Sequence, residues 1–139
     1  KEKKIKSLIR FTNLKSEVQF SANTRLDFLI TNNKEKCFLE VKNVTLVREN
    51  KTAEFPDSIT ARGTKHLYDL SKAKKKGYQS YILYLIQRND CDSFKIAKDI
   101  DEAYKIAFVH ALKNGVKMLC YDCKLSNEEI KLNNQIYYE

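Results

Sequence analysis

Two acids and a lysine carry the chemistry most visible in this chain: Asp27, then Glu40 and Lys42 within the tripeptide Glu40-Val41-Lys42. Carboxylates are hard oxygen ligands that suit Mg²⁺ or Mn²⁺, ions that keep several waters and take the rest of their shell from substrate phosphate. A metal held this way lowers the pKa of a bound water and stabilises charge on the phosphoryl oxygens. A lysine two residues from one ligand is placed to orient that water, or to neutralise the charge that develops in the transition state. The set suits metal-assisted phosphodiester hydrolysis, with Asp27, Glu40 and Lys42 as catalytic candidates and Asp27 and Glu40 as metal ligands. Glu17, in Ser16-Glu17-Val18-Gln19-Phe20, is a candidate third acid on a preceding strand.

Two strands are needed to bring these groups together. Arg25-Leu26-Asp27-Phe28-Leu29-Ile30 and Cys37-Phe38-Leu39-Glu40-Val41-Lys42 are rich in apolar, β-favouring residues, and Asn32-Asn33-Lys34 between them reads as a turn. An antiparallel hairpin follows. Side chains alternate along a strand, so Glu40 and Lys42 share one face, and Asp27 shares its own face with Leu29. An ionised acid beside leucine is poorly solvated, which a bound cation would relieve. The ordinary explanation also fits, because solvated strand faces often carry a Glu/Lys pair and a motif this short has many chance matches.

Longer segments carry a resemblance. Asn23-Thr24-Arg25-Leu26-Asp27-Phe28-Leu29, Leu39-Glu40-Val41-Lys42-Asn43-Val44-Thr45-Leu46-Val47, Phe55-Pro56-Asp57, Thr60-Ala61-Arg62-Gly63 with His66-Leu67, Gln87-Arg88 and Tyr121-Asp122-Cys123 resemble the sugar fermentation stimulation protein A (SfsA) family in order and spacing. The resemblance implies an α/β domain with a mixed central β-sheet flanked by helices, the PD-(D/E)XK restriction-endonuclease-like fold. Asp27, Glu40 and Lys42 fall on that motif position by position, although no proline precedes Asp27. Glu17 matches the acid of an upstream Glu-Val segment. The family is further associated with DNA binding and with a regulatory effect on sugar metabolism. Its full-length members carry an N-terminal OB-type nucleic-acid-binding domain. This chain opens Lys1-Glu2-Lys3-Lys4 without methionine and lacks the stretch for that domain, so the expectation is a fragment or an isolated nuclease-like domain over residues 1–139.

Composition narrows the classes. At 139 residues and 42% hydrophobic, the chain is long enough for one sizeable core, burying about 70% of its unfolded surface. No apolar run approaches the roughly 20 residues of a membrane span, and no signal-peptide pattern opens the chain. The expected compartment is the cytoplasm, with the 4 cysteines as thiols. With 26 basic against 18 acidic residues the net charge is +8, clustered in Lys1-Glu2-Lys3-Lys4 and in Lys72, Lys74, Lys75 and Lys76. Such clusters suit DNA, whose affinity then falls steeply with salt. Lysines at a helix end also simply favour the dipole. Arg62 could clamp a phosphate, Gln87, at the end of a central strand, could hydrogen-bond the metal-bound water or the backbone, and Arg88 beside it could reach a phosphate at the edge of the sheet.

A coarse pass places the remaining elements. Residues 3–13 read as a short amphipathic helix or a linker, Glu17 to Val47 as a β-rich block, and Thr52 to Phe55 as a short strand ended by Pro56-Asp57-Ser58. Thr60 opens a helix whose Leu67, Leu70 and Ala73 fall at helical spacing before Gly77. Ser80 to Gln87 reads as a buried strand, Ile100 to Lys113 as a second helix stopped by Asn114-Gly115, and Val116 to Cys123 as another buried strand. Strand–helix alternation implies crossovers and some parallel pairing. Asp57 reads as a further ligand or a turn residue, and His66 as a helix-packing histidine. Cys120-Tyr121-Asp122-Cys123 is a CxxC, but it ends a strand rather than starting a helix and has no second cysteine pair, which argues against redox or zinc use. Two functional classes remain: a Mg²⁺- or Mn²⁺-dependent DNA nuclease, and a non-catalytic DNA-binding regulator that keeps the fold. Neither implies a membrane or a small-molecule cofactor.

Overall fold

Alternating apolar and polar residues from Asn13 onward build an antiparallel meander. The structure, a computed structural model, describes residues 8–21, 24–125 and 130–138. The meander comprises β1 (Asn13–Ser21), β2 (Thr24–Thr31) and β3 (Lys36–Val44). Its second turn is fixed by Asn32, whose side-chain oxygen accepts the N–H groups of Lys34 and Glu35 at 2.8 and 2.7 Å. That is the local competition with the backbone that makes asparagine a turn residue.

Two helices then allow parallel pairing. After β4 (Leu46–Glu49) and β5 (Thr52–Phe55), α1 (Ala61–Lys75) carries the chain across to β6 (Gln79–Ile86), which lies parallel to β3. Beyond β7 (Ser93–Ile96), α2 (Glu102–Lys113) makes the second crossover, to β8 (Lys117–Leu125), parallel to β6. Parallel strands need such long connections. β9 (Ile130–Gln135) adds an antiparallel edge, and the main sheet runs β1-β2-β3-β6-β8-β9. The fold is thus α/β with a mixed central sheet. β4, β5, β7 and β10 (Tyr137–Tyr138) form a second, four-stranded sheet.

Period-two alternation sorts the main sheet into two faces. Phe38, Val44, Ile82, Tyr84 and Ile86 pack with Leu67, Leu70, Tyr104 and Phe108 of the two helices, all nearly or fully buried. Cys37, Leu39, Tyr81, Leu83 and Leu119 point to the other face and gather around Phe11. Burying each such large side chain contributes about 1.5–3 kcal/mol. Both helices therefore lie on a single face, the one that Glu40 and Lys42 share with Phe38.

The helices are tied together at their starts. The Thr60 hydroxyl accepts the Gly63 N–H at 3.0 Å and caps α1. Asp101, nearly buried, accepts the Tyr104 N–H at 3.1 Å as the cap of α2 and the Thr60 N–H at 2.9 Å. One carboxylate thereby satisfies orphan donors at both helix entrances.

Several sequence expectations need correction. The proposed helix over 3–13 lies partly outside the described residues, and from Asn13 the chain is already strand. The second helix starts at Glu102 rather than Ile100, because Asp101 is its cap. Gly77, with φ of 99°, directly follows the cap residue Lys76, in the left-handed position that glycine usually takes at a helix end. The second sheet goes beyond the sequence reading, which gives only β5 of its strands as a separate element.

Candidate functional site

The site forms where the β2–β3 ladder stops. Pairing runs from Thr31↔Lys36 to Phe28↔Leu39, and the next rung would join Asp27 to Glu40. There, side chains replace the ladder. The Asp27 N–H donates to Glu40 Oε1 at 3.0 Å, and the Val41 N–H donates to Asp27 Oδ2 at 2.8 Å. Each acid fills a backbone vacancy on the opposite strand, which holds both carboxylates on one face at the splayed end of the hairpin.

Glu40 is the hub. It is 2% exposed, and its Oε2 receives Lys42 Nζ at 3.1 Å and His66 Nδ1 at 2.6 Å. Lys42 Nζ also lies 3.3 Å from His66 Nδ1. An Nδ1–H aimed at Glu40 cannot also accept from the lysine, so that contact is proximity within a cluster. Burial pushes the Glu40 carboxyl up, but the His66 bond, the charges of Lys42 and His66 and the Asp27 N–H outweigh it and hold the group below its ordinary pKa. For half-buried Asp27 the balance tips the other way. Burial raises its pKa, the Val41 N–H opposes, and the neighbouring Glu40 charge adds to the rise.

The wall behind the site is phenolic. Tyr84, level with Lys42 on the adjacent strand, shares a short hydroxyl–hydroxyl hydrogen bond with Tyr104 of α2, and both are fully buried. Burial keeps the Tyr104 phenol protonated well above its ordinary range; the Tyr84 bond opposes this, and the Glu40 charge adds to it.

The other predicted residues are distributed unevenly. Glu17 lies between the rungs Ser16↔Phe28 and Val18↔Leu26, opposite Asp27, but is exposed and has a left-handed φ of 51°. Among the described residues no three acids, histidines or cysteines gather as a metal-holding group, so Glu17 does not complete a triad with Asp27 and Glu40. Arg62 stands exposed one turn before His66 on the same helix face. Gln87 donates its N–H to Val44 O at 2.8 Å and its side-chain amide to Asn43 Oδ1 at 3.0 Å, beside Lys42. Arg88 is engaged by Asp90 at 2.7 Å. Lys72, Lys74, Lys75 and Lys76 lie at the far end of α1, about 9–15 Å along the axis from His66. Lys74 donates to Gln79 at 3.3 Å, and Lys1-Glu2-Lys3-Lys4 falls outside the described residues. Asp57 is an exposed turn residue.

His66 is the residue that sequence reasoning undervalued. It shares its helix stripe with buried Ala73 and so had to face the sheet, and α1 is the crossover that returns next to β3. Those two facts together would have aimed it at Glu40. The cysteines carry no such chemistry. Cys37, Cys91, Cys120 and Cys123 are buried free thiols, and burial pushes Cys37 and Cys120 up to about 12 and Cys91 up to about 11, away from reactive thiolate. Among the described residues no helix is long and apolar enough to cross a membrane.

A mixed sheet that presents two acids, a lysine and a helical histidine at a splayed hairpin defines the class: α/β proteins with an acid–lysine site on one sheet face. A family model described as SfsA, "Sugar fermentation stimulation protein RE domain", matches residues 1–129. A sugar fermentation stimulation protein homolog of Pelagibacter ubique is 52% identical over 132 residues, which is 95% of this chain and 57% of that protein. The homolog of Ruegeria sp. (strain TM1040) is 44% identical over 125 residues, covering 89% of this chain and 54% of that protein. A solved structure described as Pyrococcus furiosus SfsA in complex with Ca²⁺ matches with a TM-score of 0.88 at 26% identity, over 97% of this chain and 58% of that one. The chain belongs to the sugar fermentation stimulation protein (SfsA) family, and it spans a little over half the length of these relatives.

Proposed function

We propose that this chain is a metal-dependent DNA nuclease domain that hydrolyses phosphodiester bonds. The observation that carries this reading is the interlock of Asp27 and Glu40 at the end of the β2–β3 ladder, with Lys42 and His66 converging on Glu40. A pair built for strand stability alone gains nothing from a half-buried acid held next to a second one, where its ionised form is disfavoured. Asp27 Oδ1 accepts no hydrogen bond among the described residues, so the pair keeps one open hard-oxygen donor. Such donors fit Mg²⁺ or Mn²⁺, and the Ca²⁺ of the Pyrococcus furiosus structure is an ion of the same oxygen-seeking kind. When bound, the metal supplies a water of lowered pKa and charge stabilisation at the phosphoryl group.

The chain's own residues do the rest. Asp27 and Glu40 are the ligands. His66 fixes the Glu40 carboxylate through one oxygen, and Lys42 is the cation that orients the attacking water and offsets developing charge. Gln87, held beside Lys42 through Asn43, borders the same edge of the sheet. The non-catalytic alternative, a DNA-binding regulator of sugar metabolism genes, draws on a specific observation: both Glu40 oxygens already have protein donors, as in a structural ion-pair cluster.

The deciding experiment incubates the chain with single- and double-stranded DNA at low salt in Mg²⁺, Mn²⁺ or EDTA. Metal-dependent cutting is expected, lost in Asp27→Asn and Lys42→Ala, with binding kept within a few-fold. Binding without cutting in every metal, or equal cutting by the variants, overturns the nuclease reading.

A further inference from the structure

The exposed side of α1 carries no acid. Its outward positions include Arg62, Lys65, Lys72 and Lys75, and its single carboxylate, Asp69, is 4% exposed. Surface helices ordinarily interleave signs, because Glu/Lys pairs one turn apart stabilise them. The first turn is also where the helix dipole favours acids and disfavours cations, yet α1 has no acid there and places Arg62 there, without an ion pair among the described residues.

Helical periodicity orders these bases. At 3.6 residues per turn, Arg62, Lys65, Lys72 and Lys76 fall on one stripe around the buried Asp69, next to the buried stripe of His66 and Ala73. Two contacts fix where that flank lies: His66 reaches Glu40 of β3, and the Lys76 ammonium sits 5.2 Å over the Phe20 ring of β1. Lys74 leaves the stripe, since its stem lies against Gly115 and its head bonds Gln79. Lys75 projects away from it around the helix. At the end remote from the acids, the stripe meets a shallow cavity of about 340 Å³ bordered by Lys34, Lys36, Lys76 and Tyr78, with Glu35 its only acid.

The dimensions match a polyanion. From Arg62 to Lys76 the axis advances about 21 Å at 1.5 Å per residue. That length is enough for these basic residues to meet successive phosphates along one strand of a duplex. We propose that Arg62, Lys65, Lys72 and Lys76 form a track for one backbone of a nucleic-acid duplex, leading it past His66 to the Asp27–Glu40 site. This rests on the nuclease reading and refines it, because it adds Lys65 to the contact set and removes Lys74 and Lys75.

The test is binding to a short labelled duplex in EDTA, so that nothing is cut, with affinity followed against salt. Each phosphate contact contributes about 0.9 to the slope of log K on log salt. The triple substitution Lys65→Gln, Lys72→Gln, Lys76→Gln is expected to flatten the slope by about 2.7 and to weaken low-salt binding about tenfold or more. A control of equal charge, Lys51→Gln, Lys98→Gln, Lys113→Gln, is expected to change it by less than about 1. All the substituted lysines are exposed, so both triples should unfold at the parent's midpoint. Equal flattening by the two triples, or none by the ridge triple, overturns the track while leaving DNA binding intact. A parent chain with no affinity for the duplex at low salt overturns the nucleic-acid reading itself, which keeps the two failures apart.

Discussion

At the scale of single residues, Asp27 and Glu40 are chemically alike and energetically opposite. Glu40 has more donors than its burial costs, so its folded pKa is lowered and it stabilises the fold above the ordinary glutamate range. That contribution is lost as the pH falls through the depressed value. Asp27 is under-compensated and its pKa is raised, so the folded chain binds the proton more tightly than the unfolded one does. Stability therefore falls as pH rises through the raised value, and the penalty is complete above it. The expected outcome is that Asp27→Asn, whose side-chain oxygen can still accept the Val41 N–H, raises the unfolding temperature by a few degrees at neutral pH. The gain should fade as the pH falls through the raised value, where the parent's acid is itself protonated. Glu40→Gln should instead lower the unfolding temperature, because Lys42 loses its counter-charge and the His66 Nδ1 loses its carboxylate acceptor in a nearly buried site. Thermal melts across pH decide this, and equal destabilisation by both changes would show that the two acids do one structural job. A gain in stability from removing an acid is the mark of a group kept for function.

At the scale of elements, the placement of His66 depends on how closely α1 approaches α2. Gly63 makes that approach possible. A Cβ there would sit 2.9 Å from Thr60 Oγ1, 3.0 Å from Thr60 Cγ2 and 3.3 Å from Tyr104 Cε1. Alanine normally gains up to about 1 kcal/mol over glycine in a helix. Here it meets an overpacking cost of about 1–3 kcal/mol and the loss of the Thr60 cap, about 1 kcal/mol more. Gly63→Ala should thus destabilise the chain by about 1–3 kcal/mol in urea. It should also reduce cutting more than binding, because His66 begins the next turn; an unchanged or higher midpoint would refute the crowding argument. These elements were unequally legible. The bounds of β5 were readable from Thr52-Ala53-Glu54-Phe55 between turn residues, and α1 from Thr60, Leu67, Leu70 and Ala73, because local period and caps specify them. The juxtaposition of Asp27 with Glu40 was readable from strand alternation across one turn. The break in the ladder was not, because its side-chain-to-backbone bonds join groups 13 and 14 positions apart on opposite strands, which no local propensity encodes. β7 was missed because Ser93-Phe94-Lys95-Ile96 is too short to show a period and is made a strand by its non-local neighbour β5.

At the scale of the whole molecule, the second sheet raises the question of what a buried acid is doing outside the site. Glu54 of β5 is 1% exposed, and Arg48 of β4 bonds it at 2.6 and 3.1 Å while its other edge grips Asp99 at 2.7 and 2.8 Å. A guanidinium forks between two carboxylates in this way because its planar donors match two acceptors at once. The clasp joins β4, β5 and the segment leading from β7 into α2, whose cap Asp101 in turn holds the entrance of α1. A chain of polar contacts therefore runs from the second sheet to the helix that carries His66. An ion pair with one buried partner responds asymmetrically to mutation. Removing one partner strands a charge, whereas replacing both with apolar groups is often neutral. Arg48→Leu should accordingly lower the unfolding midpoint more than the double change Arg48→Leu, Glu54→Leu, even though the double change removes more of the native contacts. Denaturant melts of the two variants supply the comparison. If the double variant is the weaker, the clasp adds net stability by itself; if the single variant is the weaker, Arg48 serves chiefly to neutralise Glu54, and the sheet owes its stability to apolar packing around Phe94 and Ala53.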